Sequence, residues 1–481
     1  MNLLLILNFS SSFAHQLTSA ALPFFENYFG TQFPLPKIDI VAVPDFGFNA
    51  MENWGLITFR ESALLVPQNT NQSSSVEHVQ RVANTLMHEI AHQWFGNLVT
   101  MKWYDDLWLK EGFSTYLSYV ACNEIKPKWN YFKTLTINEM QKAMSKDSDS
   151  LSHPISFPVK TKSDIRRIFD PISYSKGALI INMMRGYLGE STFRSGLQNY
   201  LKKFEYGNAL QDDLWEVMTE QAQIDEVLEK NVSIKQIMDT WTLQAGYPVV
   251  TVTRNETNII FSQQQYMLPE TNTNDTTKWF IPISLATKNR QPNNEIPDYW
   301  LTNENREIVI DKIVDDNDWI YLNLNRTGYY RVNYDTVSWT NLMNNFVKLP
   351  EIARAQLIDD SFQLARAGLV GYDIPITFSV VIATQTPLDY LSWWSFANGL
   401  EYLSFMVKRE PAYESYRTVM RAVIKIAFDK IGFEEMKNET EIELLHHARI
   451  VELACEFGLD RCTNRAQLMY REWITDKKDN K

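Results

Sequence analysis

The chain has 481 residues, 45% hydrophobic and 13% aromatic, enough apolar material for two to four packed domains. Acidic residues outnumber basic ones by 58 to 46, for a net charge of −12; with no basic run, this argues against nucleic-acid binding. No segment is long and apolar enough to span a bilayer, so membrane attachment is expected only through segments outside this chain.

In chain order, Leu3 to Leu7 is apolar but short, with no basic residue before it. It makes a poor signal peptide, and a strand, a core segment or the ragged start of an incomplete chain is the better expectation. Ile38 to Val43 predicts a strand ending at Pro44, and Gly55 to Phe59 another. From Ser75 onward helices dominate. Val79, Ala83, Leu86 and Ile90 recur at spacings of four, three and four, the pattern of an amphipathic helix. Ser74 and Glu77 have capping-box spacing before it, and Gly96 is the expected stop.

That helix carries His88-Glu89-Ile90-Ala91-His92. At about 100° per residue, side chains four apart lie on one face, so two imidazoles can reach one metal ion. Glu89, one step round, can reach a water at that ion without being a ligand. Asp105 or Asp106 is expected to cap a second helix carrying Glu111, Tyr116, Leu117 and Val120. Glu111 then supplies a third ligand. Three protein ligands leave a fourth zinc position open, which is the catalytic arrangement. Short HExxH patterns also arise by chance; the acid on a second helix is what favours zinc here. His15, His78, His153, His446 and His447 have no such arrangement and are expected to be satisfied surface or core histidines.

From Tyr247 the pattern changes to alternation. Val250 and Val252, Ile259 and Phe261, Trp279 to Leu285, and Ile320, Leu322 and Leu324 predict short strands in a small antiparallel sandwich, roughly 247 to 336. Helical spacing then returns: Ile358, Phe362, Ala365 and Leu369 predict a helix ending near Gly371. The charged end, Asp476 to Lys481, is expected to fray. Of the three cysteines, Cys122 reads as a buried free thiol, while Cys455 and Cys462, seven apart, are able to close a small loop. Sequons at Asn8, Asn71, Asn231, Asn255, Asn274, Asn325 and Asn438 suggest a secreted or cell-surface glycoprotein.

Four stretches resemble the zinc aminopeptidase N family of gluzincin metallo-aminopeptidases. Asn49-Ala50-Met51-Glu52-Asn53-Trp54-Gly55 is similar to its exopeptidase motif. His88 to Asn97 is similar to its zinc motif with the usual continuation. Leu107 to Phe113 carries the third ligand, and Ile172 to Ala178 resembles the segment holding the family's catalytic tyrosine. Weaker similarity runs through Asn325 to Val332 and into the helical end, where Cys455 and Cys462 look like a small-loop disulfide of cell-surface members.

The resemblance implies a multidomain α+β fold: a thermolysin-like, mainly helical catalytic domain (1–246), a β-sandwich (247–336) and an α-helical C-terminal domain (337–481). Against the family's four-part fold, the chain is expected to lack the N-terminal β-domain and the end of the helical domain, and its activity to be impaired if it is complete. The implied reaction is hydrolysis of the N-terminal peptide bond of peptides, with one zinc ion held by His88, His92 and Glu111. Glu89 would move the water proton and Tyr174 would bind the oxyanion. Glu52 would hold the substrate's free α-ammonium, which limits cleavage to the N-terminus. Asn49, Ala50 and Met51 would line the same wall. The implied partners are peptides with a free N-terminus and no nucleic acid, at the plasma membrane surface or outside the cell.

Two departures stand out. Asn49 replaces a usual glycine, and Asn tolerates positive φ better than other side chains, so the turn is expected to survive. Lys110 replaces a frequent asparagine beside the third ligand; it is expected to point away from the site, with an indirect effect on the ligand as the alternative. The alternative readings are a catalytically impaired surface glycoprotein or receptor that keeps the zinc site, and an endopeptidase or epoxide hydrolase on the same scaffold.

Overall fold

The computed structural model describes residues 11–67, 74–268 and 277–475, apart from Asn293, Lys312, Asp316 and Lys437. The expectations for Leu3 to Leu7, for the sequons at Asn8, Asn71 and Asn274, and for the tail from Asp476 lie outside these residues. The fold mixes helix and sheet in two compact units. One takes in residues up to 69 and 78–338, the other 70–77 and 339–481.

The first unit opens with α1 (Ser12–Phe29), whose Ala14, Leu17, Ala21, Phe25 and Phe29 form one buried stripe. The rings of Phe25 and Phe29 pack on Trp94, at centroid separations of 5.9 and 5.3 Å. A three-stranded sheet follows, in the order β1 (Asp39–Val43), β3 (Leu56–Arg60), β2 (Ala50–Met51). β1 runs parallel to β3, and β2 pairs antiparallel with it, Ala50 opposite Phe59 and Met51 opposite Thr58.

The predicted metal-motif helix is α2 (Val76–Ala91), with Ala83, Leu86 and Ile90 buried and Val79 half-buried. It stops earlier than Gly96. The His92 amide still donates to the His88 carbonyl at 3.1 Å, and a tight turn through 92–98 leads to β4 (Val99–Met101). Gly96 therefore serves this turn and not the helix end. Its φ of 128° is a conformation other residues avoid.

The second predicted helix is α3 (Trp108–Ile125). It is buried on nearly every side, which suits a central element. Asp105 and Asp106 do not cap it; they sit in a 3₁₀ turn ahead of it. Asp105 accepts from the Val159 amide at 2.7 Å. Asp106 accepts from the Ser156 hydroxyl at 2.8 Å and the Gln211 amide at 3.1 Å. Short polar side chains favour such loop bonds as readily as caps, and spacing alone does not choose between them. α3 crosses the helix Gly177–Leu188 where Gly112 faces Gly177. A Cβ on Gly112 would lie 3.0 Å from the Gly177 backbone, so the approach needs glycine on both sides.

The alternating strands are present from Pro248, but their arrangement is mixed. A four-stranded sheet runs in the order 307–311, 258–265, 248–254, 331–334, and the last pair is parallel, Arg331 beside Val249. Residues 281–283 pair with 299–301, and 285–287 with 320–322, both antiparallel. Alternation reports which face is buried and not strand direction, which explains the missed parallel pair. Leu324 falls in a 3₁₀ turn beyond the strand.

The second unit is helical. Its helix Glu351–Arg366 buries Ile358, Phe362 and Ala365, and ends before Gly371. Gly368, at φ 72°, lets the Leu369 amide return to the Leu364 carbonyl at 2.9 Å, a C-cap three residues earlier than expected. A disulfide joins Cys455 and Cys462, with Cα atoms 5.2 Å apart, and Cys122 is a buried free thiol. Among the described residues, no helix is long and apolar enough to cross a membrane.

Candidate active site

α2 and α3 bring three acceptor atoms to one point. The Nε2 atoms of His88 and His92 lie 3.0 Å apart, and Glu111 Oε2 lies 3.3 and 3.2 Å from them. His92 Nδ1 sits 2.9 Å from the Phe95 carbonyl, which can only accept, so Nδ1 carries the proton and Nε2 turns its lone pair to the cluster. Ligands about 2.0–2.1 Å from a tetrahedral zinc are roughly 3.3 Å from one another. The three atoms thus fit a small dication as they stand, and they form the one such group among the described residues.

Burial and charge act in opposite directions here. Burial alone would raise the Glu111 carboxyl, yet His92 and Lys110 beside it hold it well below the usual range. Burial opposes charge on His92, but Glu111 keeps it above its ordinary value; burial and His92 together lower His88. Glu89 is 6% exposed, and its Oε2 has no hydrogen-bond partner. Burial pushes its carboxyl up to about 8. A buried carboxyl with an orphaned oxygen is costly unless a cation or a reacting proton uses it.

Glu52 follows β2 in a loop clamped by the turn after α2. The Gln93 and Asn97 side-chain amides donate to the Glu52 carbonyl at 3.1 and 2.8 Å, and Gln93 Oε1 accepts from the Gly55 amide at 3.0 Å. Gly96 makes this possible, since a Cβ there would stand 3.3 Å from both the His92 ring and Lys110. Asn49 lies outside the left-handed region, so this position does not need the positive φ expected of it. Its carbonyl accepts from the Arg60 amide at 2.9 Å. Ala50 and Met51 form the edge strand of their sheet.

Lys110 overturns its expectation. Its Nζ reaches into the site and donates to Glu52 Oε1 and Glu111 Oε1, each at 2.6 Å. It uses the Glu111 oxygen that faces away from the imidazoles. Burial would lower this ammonium, but the two carboxylates raise it, and His92 and Lys110 hold Glu52 low against its own burial.

Tyr174 sits in a single π-turn, Ile172–Lys176, just before the helix that crosses α3. Its ring is parallel to that of His88, with centroids 6.0 Å apart. Burial first, then Glu111, pushes the phenol well above its ordinary value, so it stays a donor. Asp170 accepts from the Ile172 amide at 2.9 Å, Ser175 donates to Glu139, and Lys176 pairs with Asp147 at 2.8 Å. His153, bonded to Asp170 and to the Pro154 carbonyl, is a satisfied core histidine.

Two family profiles match. The profile described as "Peptidase family M1 domain" covers residues 13–241, and "ERAP1-like C-terminal domain" covers 319–481. The chain belongs to peptidase family M1. Within that family it is 37% identical to aminopeptidase N of Bos taurus over 489 residues, covering 97% of this chain and 49% of that protein. It is 34% identical to aminopeptidase N of Rattus norvegicus over 484 residues, with the same two shares. It is 33% identical to the thyrotropin-releasing hormone-degrading ectoenzyme of Rattus norvegicus over 494 residues, 98% of this chain and 45% of that protein. The chain spans about half the length of the relatives it matches.

In this M1 chain, the residues that sequence reasoning passed over are Gln93, Asn97 and Asp170, while Lys110 was noticed but oriented wrongly. The first two stood in the quoted motif, but their partner, the Glu52 carbonyl, lies more than forty positions away.

Proposed function

We propose that the chain is a zinc-dependent aminopeptidase acting on peptides with a free N-terminus. The observation that carries this is the convergence of His88, His92 and Glu111, with Glu89, Tyr174 and Glu52 around them. A zinc ion held by the three ligands supplies a Lewis acid and an acidified water near neutral pH. Glu89, its orphaned oxygen free, takes a proton and returns it to the leaving amine. Tyr174 donates a hydrogen bond to the developing oxyanion. Glu52 pairs with the substrate's α-ammonium, and Asn49, Ala50 and Met51 at the sheet edge accompany the peptide backbone.

This reading assigns residues 1–246 to a thermolysin-like catalytic domain, 247–336 to a β-sandwich and 337–481 to an α-helical domain. It also places the protein at the cell surface or outside the cell. Four sequon asparagines, Asn231, Asn255, Asn325 and Asn438, are exposed, and the Cys455–Cys462 disulfide suits an oxidising compartment.

The zinc-loaded protein is offered leucine para-nitroanilide beside the Glu89→Gln variant. The expected result is zinc-dependent turnover that falls about 10³-fold in the variant, within the range for a lost general base. Equal turnover by both proteins, or cleavage of N-acetylated peptides, refutes the assignment. The second reading, a surface glycoprotein that keeps the metal site without productive binding, is favoured by the Glu52–Lys110 pair. It predicts bound zinc without turnover.

A further inference from the structure

We propose that Lys110 occupies the α-amine subsite from within, so that a substrate's N-terminus must displace it from Glu52 and binds more weakly for it. The inference rests on the aminopeptidase reading of Glu52.

The geometry gives the argument. Lys110 starts from the first turn of α3, and its Nζ ends 2.6 Å from Glu52 Oε1 on the loop after β2. The pair is shielded, with side chains 14% and 15% exposed, so solvent weakens it little. A lysine ammonium and a peptide's α-ammonium are the same chemical group: one positive charge and three N–H donors on a primary amine. Whatever makes Glu52 a good partner for one makes it a good partner for the other. Because Lys110 is tethered, it competes as an intramolecular ligand with no entropy of association to overcome. It also has a place to go. Its second bond, to Glu111 Oε1 at 2.6 Å, holds the displaced ammonium, and that oxygen is not the one facing the imidazoles.

Displacement acts on the substrate before any bond is broken. It therefore appears mainly in KM and in ligand affinity, and less in kcat. The penalty is the same factor for every free N-terminus, so it lowers affinity across substrates without reordering them.

The experiment uses the full chain with zinc: wild type, Lys110→Asn and Lys110→Met, each alone and combined with Glu52→Gln. Zinc content and melting temperature verify that each variant is folded and loaded. The readouts are KM and kcat on leucine para-nitroanilide, and calorimetric binding of leucine amide. Both single variants are expected to lower KM and the leucine amide Kd about tenfold, with kcat moving less. In the Glu52→Gln background the gain is expected to disappear. Unchanged or weaker binding in both variants, or a gain that persists without the Glu52 carboxylate, overturns the proposal. If wild type and variants bind zinc but none turns over, the hydrolase reading fails, and leucine amide binding alone decides the role of Lys110. No leucine amide binding by any of the proteins overturns the proposal.

Discussion

Two buried ionic clusters in the first unit behave differently. Lys176 and Asp147 are fully buried and complete: Nζ lies 2.8 Å from Asp147 Oδ2 and donates to the Gly246 carbonyl at 3.0 Å, while Asp147 Oδ1 accepts from the Gly246 amide at 2.9 Å. In the His88–His92–Glu111 cluster, three acceptor atoms crowd together and Glu89 Oε2 has no partner. The complete cluster holds the π-turn of Tyr174 in place, whereas the incomplete one has room for a cation and a proton. Buried charge is structural where every valence is met, and chemical where one is left over.

The largest test of that contrast breaks the complete pair. Lys176→Met leaves the Asp147 charge buried and is expected to cost about 3–5 kcal/mol in urea unfolding. Glu89→Gln removes a buried carboxyl with an orphaned oxygen, so its expected cost is under about 1 kcal/mol. Similar losses from the two would erase the distinction.

His446 extends the contrast to the helical unit. It is buried and was expected to be satisfied, yet its Nε2 has no partner, and burial lowers its pKa to about 4. Among the described residues it belongs to no ligand cluster, so its cost should appear in stability alone. The unfolded chain binds a proton near pH 6.5 and the folded chain only near 4. Its contribution is therefore complete above 6.5 and is lost as pH falls through this window, by about 3 kcal/mol. Urea midpoints between pH 7.5 and 4.5 should fall less steeply in His446→Asn than in wild type. Equal slopes would refute the assignment.

A smaller loss than that of Lys176→Met is expected at the helix crossing. A Cβ on Gly177 would lie 3.1 Å from the Gly112 Cα. Gly177→Ala should cost about 1–3 kcal/mol of overpacking and lower kcat, because Tyr174 lies three residues earlier and moves with the crossing. A stability loss with unchanged kcat would separate the crossing from the placement of Tyr174.

What the amino-acid sequence determined by itself is local. The spacing of His88 and His92, the helices around them and the alternation after Tyr247 follow from the 3.6- and 2-residue periods of the backbone, which act between near neighbours. The shared face of His88 and His92 was legible for the same reason, and Glu111, Glu52 and Tyr174 only through their motif contexts. Other features depended on partners far along the chain. Asp105 and Asp106 gave up the cap for a loop amide and a loop hydroxyl some fifty residues on. Gln93 and Asn97 serve the Glu52 carbonyl. The parallel partner of 248–254 arrives only at 331–334. Lys110 shows the limit most plainly. A residue next to a ligand on a helix starts about 100° away from it, which predicts that it points outward. Its long, flexible arm lets it turn back, and only the tertiary structure, which sets two carboxylates within its reach, decided where its charge would rest.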